Sequence, residues 1–176
     1  MLNFGEQKLI PGLVPDDFRT FFERWGEVGA SANDTIESIT HCGSDEGVDI
    51  FKVVAIAPWP ISNRVMFSTR YLELDVDGGH MMLFCSDGNE RYMNDEAIFS
   101  AKEKKKLVVA AVHLSGWWVK PVKNDQNQII GTHMLYYSAI DAGGNIPTFV
   151  QNSQGPKTAL NSIKGAVVWA KANKGK

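Results

Sequence analysis

Residues 51–75 decide the fold and read FKVVAIAPWPISNRVMFSTRYLELD. Both halves of this stretch are rich in Val, Ile, Phe, Thr and Tyr, the residue types that favour strands. Pro58 and Pro60 stand between the halves and have no backbone N–H to give to a sheet. The stretch therefore predicts two antiparallel strands, Val48 to Ala57 and Arg64 to Asp75, that are joined at a corner.

The composition is that of one ordinary globular domain. The chain has 176 residues, of which 44% are hydrophobic and 22% charged, so it is long enough for a sizeable core. A net charge of −2 differs from the strongly basic balance of a general nucleic-acid binder, and we expect no nucleic-acid partner. Cys42 and Cys85 provide no disulfide framework and favour a reducing, cytoplasmic location. Without an apolar run of roughly 18 residues or a recognisable signal peptide, we predict a soluble protein.

The segment before the strands predicts a helix. Pro15, Asp16 and Asp17 suit a helix start, where acidic side chains meet the positive end of the dipole. Four aromatic residues then follow at helical spacing and predict a core face: Phe18, Phe21, Phe22 and Trp25. We expect Gly26 and Gly29 to end this helix. Residues 1–14 contain several breakers and predict no regular element.

The rest of the chain predicts four further strands and a terminal helix. The strands are Thr35 to His41, His80 to Ser86, Leu107 to Lys120 with a bulge at Ser115-Gly116, and Ile129 to Asp141. Residues 87–106 predict a long polar loop with a helical turn. Pro156 suits the first position of the helix, whose apolar face carries Leu160, Ile163, Val167 and Ala170. Gly165 lies within this helix, either for a close approach to the sheet or as a soft point, and we favour the soft point. The class is α+β, with helices on one side of a curved antiparallel sheet.

Three segments, in chain order, carry a family resemblance. They are Pro58 to Arg64 (PWPISNR), Gly116 to Pro121 (GWWVKP) and Tyr136 to Pro147 (YYSAIDAGGNIP). They resemble the motifs of START domains, the lipid-transfer domains related to steroidogenic acute regulatory protein, and phosphatidylcholine-transferring members are the most similar. The resemblance implies a helix-grip (START/Bet v 1-like) fold over residues 1–176, in which the sheet wraps the C-terminal helix and leaves a tunnel for one lipid.

The chain departs from the family in two places. The family has an acidic residue after the arginine of the first motif, whereas Val65 stands here, so we expect Arg64 to lack that ion pair. Family members also have more strands before the first aligned helix, which leaves the edge of the strand Ile129 to Asp141 open. Because an open edge promotes association, we predict that residues 1–10 or a second chain, as in a homodimer, covers it.

Carrying the inward positions of the family over to this chain gives the predicted ligand-binding residues. They are Phe51, Val53, Ala55, Met66, Ser68, Arg70, His113 and Ser115, to which the apolar face of the terminal helix adds Ile163 and Val167. For the apolar members, a cavity wall and a plain core are equally compatible with the pattern. If Arg70 faces inward it needs an anionic partner, which is either a lipid phosphate or an Asp or Glu of the protein.

Other charged residues give weaker signals. Lys102 to Lys106 is a basic run that suits peripheral docking on anionic headgroups or, alternatively, a solvated loop. His41, His80 and His133 are too dispersed to predict a metal site, and no phosphate loop, nucleophile elbow or zinc spacing is present, so we expect neither a metal nor a cofactor.

We therefore predict non-enzymatic binding and intracellular transfer of a single lipid, either a phospholipid or a sterol-like molecule. One alternative is a ligand-free regulatory or protein-interaction module with a filled core. Another is a cyclase or hydrolase of the same fold.

Overall fold

The computed structural model describes residues 2–86 and 90–175, apart from the side chains of Asp45 and of residues 148–156. The strands are β1 (Leu2–Pro11), β2 (Ile36–Asp45), β3 (Val48–Ala55), β4 (Arg64–Val76), β5 (Gly79–Cys85), β6 (Val108–Val109), β7 (Ala111–Lys123) and β8 (Ile129–Asp141). The helices are a 3-10 turn (Pro15–Phe18), α1 (Arg19–Glu23), α2 (Trp25–Ala32), α3 (Glu90–Asn94), α4 (Ala101–Lys104) and α5 (Thr148–Asn173).

The strands form one eight-stranded sheet in the order β1-β8-β7-β5-β4-β3-β2, with β6 beside β4. All pairings are antiparallel except the short parallel pairing of β6 with β4. The predicted corner is confirmed, since β3 and β4 pair from Asp49 opposite Arg70 to Ala55 opposite Arg64. The sheet curves around α5, so the predicted helix-grip fold of α+β class is also confirmed.

The core lies between the inner face of the sheet and the helices. The four aromatic residues of the first helical segment are all buried, as their spacing predicts. The Trp25 ring stacks at 4.4 Å from Phe84, and the Phe21 ring lies 5.5 Å from Trp169 of α5. Burying each such side chain stabilises the fold by about 1.5–3 kcal/mol. These contacts hold α1, α2 and α5 together on one face of the sheet.

The predicted helix end at Gly26 and Gly29 is wrong, because α2 runs through both residues. A Cβ atom at Gly26 would collide with the ring of Phe51, and one at Gly29 would lie 2.7 Å from Ile39 Cδ1. The two glycines therefore allow α2 to lie close against the sheet rather than ending it.

Two expectations about α5 are also corrected. The helix begins at Thr148 rather than at Pro156, and Pro147, with ψ 136°, precedes its first turn in an extended conformation. A Cβ atom at Gly165 would lie far inside van der Waals contact with the carbonyl oxygen of Ala32 at the end of α2. Gly165 therefore allows a close approach between α5 and α2, and it is not the favoured soft point.

The edge of β8 is covered by β1, which sequence reasoning did not assign as a strand. Residues pair from Leu2 opposite Ala139 to Pro11 opposite Gly131, with an irregularity between Gln7 and Ile10. This confirms the first of the two expected alternatives, that residues 1–10 cover this edge. Outer edges of the sheet are accordingly formed by β1 and β2.

The outer face of β3 and β4 is covered by the segment that contains α3 and α4. A small second core joins Val54, Val65 and Phe67 of the strands to Phe99. Beside it, Lys52 Nζ donates to the carbonyl of Ile98 at 2.6 Å and lies 3.0 Å from Glu103 Oε1. The predicted loop over residues 87–106 is thus partly a packed layer, although residues 87–89 lie outside the described part. Within residues 2–86 and 90–175, no helix combines the length and hydropathy needed to cross a membrane.

Candidate functional site

Two adjoining chambers lie between the inner face of the sheet and α5. The inner chamber has a volume of about 120 Å³ and is lined mainly by apolar side chains such as Val53, Met66, Phe84, Val112 and Trp117. The mouth chamber has a volume of about 160 Å³ and reaches the connector between β3 and β4, with Ile56, Pro58, Ile61, Arg64, Ser138 and Ile146 in its wall. Both chambers are lined by Ala55, Met66, Ile140 and Thr158, so they adjoin each other.

Half of the predicted ligand-binding residues line the inner chamber: Val53, Ala55, Met66, Ser68 and Ser115. Phe51 instead packs in the core, with its ring 5.6 Å from Trp25. Ile163 and Val167 of α5 also belong to the packed core and lie outside the walls of both chambers. Of the apolar candidates, Val53, Ala55 and Met66 therefore line the chamber, whereas Phe51, Ile163 and Val167 pack in the core.

His113 is exposed and lies outside both chambers. The register of β7 with β8 shifts between Val112 and Leu114, which makes His113 the extra residue of a bulge. A bulge reverses the face on which alternate residues lie. Val112 before the bulge and Ser115 after it both face inward, while His113 faces outward. The bulge thus lies two residues earlier than the predicted position at Ser115-Gly116.

Arg70 faces the inner side of β4, but the protein itself supplies its partners. Its guanidinium pairs with the Asp49 carboxylate and donates to the carbonyls of Phe22 and Glu23, each at 3.0 Å. Burial alone would raise the pKa of Asp49, but hydrogen bonds from Ser44 and His41 and the charge of Arg70 hold that pKa below its ordinary value. Arg70 lies outside both chambers and ties the end of α1 to the sheet.

Polar groups of the inner chamber are largely paired with each other. Ser115 Oγ lies 3.2 Å from the Tyr136 hydroxyl. On the side of α5, Asn33 Nδ2 donates to Ser162 Oγ at 3.3 Å, and Trp117 Nε1 to the Ser162 carbonyl at 3.4 Å. The inner chamber is thus an apolar space with satisfied polar groups at its wall, which suits an aliphatic or ring-shaped ligand.

The mouth chamber contains polar groups that are not satisfied in this way. Arg64 is 8% exposed and, within the described part of the chain, donates to carbonyl oxygens alone, those of Ala142 at 3.0 Å, Gly143 at 3.2 Å and Ser62. Burial lowers the pKa of its guanidinium. Ser138 is fully buried, and its hydroxyl has no hydrogen-bond partner among the described residues. Sequence reasoning did not select either residue, although Val65 in place of the acidic family residue was a signal for Arg64.

The connector over residues 56–63 forms one rim of the mouth chamber and carries exposed apolar side chains. Trp59 is 93% exposed and Ile56 is 50% exposed. The basic run Lys102 to Lys106 lies at the same end of the sheet, because the N–H of Val108, just beyond it, donates to the Asn63 carbonyl at 3.0 Å. Trp59 and the C-terminal end of the lysine run thus lie at the same end of the sheet as the mouth chamber.

A second cluster, Asp16, Asp75 and His80, brings together three residues of metal-ligating type among the residues that the structure describes. His80 accepts the Asp75 N–H at Nδ1 (3.1 Å), so its proton lies on Nε2, which faces Asp16 Oδ1 at 3.2 Å. Arg19 pairs with both carboxylates. With neither imidazole lone pair available, this cluster is a salt-bridge network around a buried histidine.

No protein-family model and no curated protein matches the sequence. Among solved structures, the fold is similar to human StAR-related lipid transfer protein 5, with a TM-score of 0.76 and 14% identity over 97% of this chain and 76% of that one. A STAR-related lipid transfer protein fragment from Xanthomonas axonopodis matches with a TM-score of 0.67 and 16% identity over 96% of this chain and 84% of that one. A protein from Thermus thermophilus matches with a TM-score of 0.63 and 12% identity over 99% of both chains. The chain therefore has the helix-grip fold that is found in START domains.

Proposed function

We propose that the chain, as one unit over residues 1–176, binds a single lipid-like molecule without covalent chemistry and transfers it between membranes inside the cell. The carrying observation is the pair of adjoining chambers between the sheet and α5, in a fold whose solved neighbours include lipid transfer proteins. An aliphatic chain buried there contributes about 0.8 kcal/mol per CH₂.

The volume of the chambers limits what enters without a structural change. Volumes of about 120 and 160 Å³ are each close to an apolar cavity of about 150 Å³ that holds benzene. Pockets for drug-sized ligands occupy about 300–1,000 Å³. A phospholipid, as expected from the resemblance to phosphatidylcholine transfer protein, or a sterol-like ligand therefore requires movement of the connector or of α5, whereas a single aliphatic chain requires less.

The wall of the chambers supports a binding role rather than catalysis. Among the described residues, its polar groups are hydroxyls, amides, indoles and the one guanidinium of Arg64. This set orients a ligand but contains no pair of groups that titrate near neutral pH and exchange a proton.

Contact with a membrane is supported by the rim of the mouth chamber. Tryptophan favours the membrane interface, and lysines are attracted to anionic headgroups. Trp59 and the run Lys102 to Lys106 would place the opening against the bilayer.

A cytoplasmic location suits Cys42 and Cys85, which form no disulfide. Because β1 is an outer edge of the sheet, a homodimer would form through β1, where Leu2 and Phe4 are exposed.

Lipid transfer between donor and acceptor vesicles tests the proposal, together with native mass spectrometry of the purified protein. Ala55 lines both chambers, so Ala55→Phe is expected to abolish binding and transfer. Ala111→Phe introduces the same ring at an exposed position of β7 and is the matched control. The proposal fails if no lipid co-purifies and no transfer occurs. That result would favour the interaction module, which the small volume of the chambers also suits.

A further inference from the structure

We propose that the mouth chamber binds the anionic group of the ligand, a carboxylate or phosphate at the end of an aliphatic chain, through Arg64 and Ser138. This inference rests on the proposed function, because it assigns the ligand class and its orientation in the same cavity. The chain of the ligand would extend into the inner chamber.

The first argument is the charge of Arg64. A guanidinium has five N–H donors, and three neutral carbonyl oxygens leave donors available. Carbonyls also leave the positive charge without a counter-ion, and no carboxylate pairs with Arg64 in the described part of the chain. A buried charge is costly unless it is paired. An anionic ligand in the mouth chamber would supply a counter-ion for Arg64.

The second argument is independent of charge and concerns Ser138. Its hydroxyl is buried in the wall of the same chamber without a partner among the described residues. Leaving such a group unpaired destabilises the folded protein, so native proteins rarely retain one without a reason. Asn3, directly opposite Ser138 on β1, also lines this chamber and offers a side-chain amide. A ligand oxygen in the mouth chamber would satisfy this polar side of the wall.

The third argument is orientation. The inner chamber has paired polar groups and an apolar wall, whereas the unpaired polar groups lie in the mouth chamber. An amphiphile that enters with its chain first satisfies both environments. Its polar end then lies beside the exposed Trp59, close to the surface from which it came.

Titration calorimetry with three probes of equal chain length tests this assignment. Dodecanoate and dodecyl phosphate are anionic, and methyl dodecanoate is the neutral control. We expect both anions to bind more tightly than the ester, and the tighter anion identifies the headgroup class. Arg64→Gln should weaken binding of both anions on the order of a hundredfold and leave ester binding unchanged.

Ser138→Ala keeps the test decisive if Arg64→Gln does not fold, because it removes only an unsatisfied hydroxyl. It should weaken binding of the anions about tenfold, the loss of one charge-assisted hydrogen bond. Ser115→Ala, which removes a paired hydroxyl from the inner chamber, should leave the preference for anions intact.

The inference is overturned if the ester binds as tightly as the anions, or if Ser138→Ala leaves anion binding unchanged. In both cases the proposed function still stands, because a lipid is bound. If none of the three probes binds, the proposed function fails as well.

Discussion

Arg64 and Arg70 lie on the same face of β4, and their surroundings differ in one respect. Arg70 has a carboxylate partner in Asp49 as well as carbonyls of α1, whereas Arg64 has carbonyl acceptors alone among the described residues. Arg70 thus fixes the end of α1 to the sheet. Arg64, at the mouth chamber, has a positive charge that no carboxylate of the described residues neutralises. The comparison teaches that an inward-facing arginine is not itself a ligand site, since the ion pairs around it decide its role.

The largest effect is expected from Arg70→Met. Breaking this partly buried ion pair leaves the Asp49 carboxylate without its partner, and we expect a loss of about 2–3 kcal/mol in the free energy of unfolding, measured in urea. Transfer of phospholipid and of sterol should then weaken equally. Arg24→Met, at an exposed arginine paired with Glu27, is the control and should cost at most about 0.5 kcal/mol. Selective loss of phospholipid transfer would contradict this structural role of Arg70.

Gly165→Ala tests the other contact that fixes the α1–α2 segment, which Arg70 ties to the sheet. The added methyl meets the Ala32 carbonyl, and we expect a loss of about 2 kcal/mol, read from the melting temperature. Lys164→Ala, at the neighbouring exposed position of α5, should be nearly neutral. If Gly165→Ala instead raises stability, helix propensity outweighs the contact.

The pair Lys52–Glu103 gives a comparison with Arg70–Asp49 on the outer face of the sheet. Hydrogen bonds from the Ser100 side chain and backbone, followed by Lys52, lower the pKa of Glu103 to about 2 from 4.5. A lowered pKa stabilises the fold above the ordinary value, and this stability is lost as pH falls from about 5 toward 2.

Glu103 is 35% exposed, so solvent screening reduces its contribution to about 1–2 kcal/mol. Urea unfolding between pH 6 and 2 measures the effect (about 1–2 kcal/mol). Glu103→Gln should lower the free energy of unfolding at neutral pH and reduce its further loss between pH 5 and pH 2. If that loss is the same in the variant, Glu103 is not its cause.

The smallest effect is expected from Arg64→Met. Three carbonyls lose a donor, but a buried cation without a counter-ion is removed as well, so we expect a loss of about 1 kcal/mol or less. Urea unfolding of Arg64→Met and Arg70→Met under the same conditions compares the two losses in the free energy of unfolding. Equal losses for the two variants would abolish the distinction between the two arginines.

The sequence predicted most strands because their apolar pattern and turn residues agree with the sheet. The strand Ile129 to Asp141 was predicted with its observed bounds, and β4 to within one residue. By contrast β1 was missed, because Asn3 and Gly5 face inward while Leu2 and Phe4 are exposed, the reverse of the usual pattern. Gly5 suits that position because Ile163 and Ala159 of α5 pack against it.

The site was less predictable than the fold. The inward positions carried over from the family resemblance include Val53, Ala55, Met66 and Ser68, and these four line the inner chamber. One bulge was enough to reverse His113, since a single extra residue changes the face without changing the composition. Whether a buried polar group has a partner depends on contacts between distant segments, so the sequence alone does not show the unpaired hydroxyl of Ser138.

The pairing of β1 with β8 has a consequence for how the protein is made. Leu2 pairs with Ala139, so this part of the sheet is complete only after most of the chain has left the ribosome. Contacts between residues so far apart in sequence carry a large loop-closure entropy and slow folding. Until β8 has been synthesised, β1 lacks this partner strand, and the nascent chain exposes an open strand to aggregation.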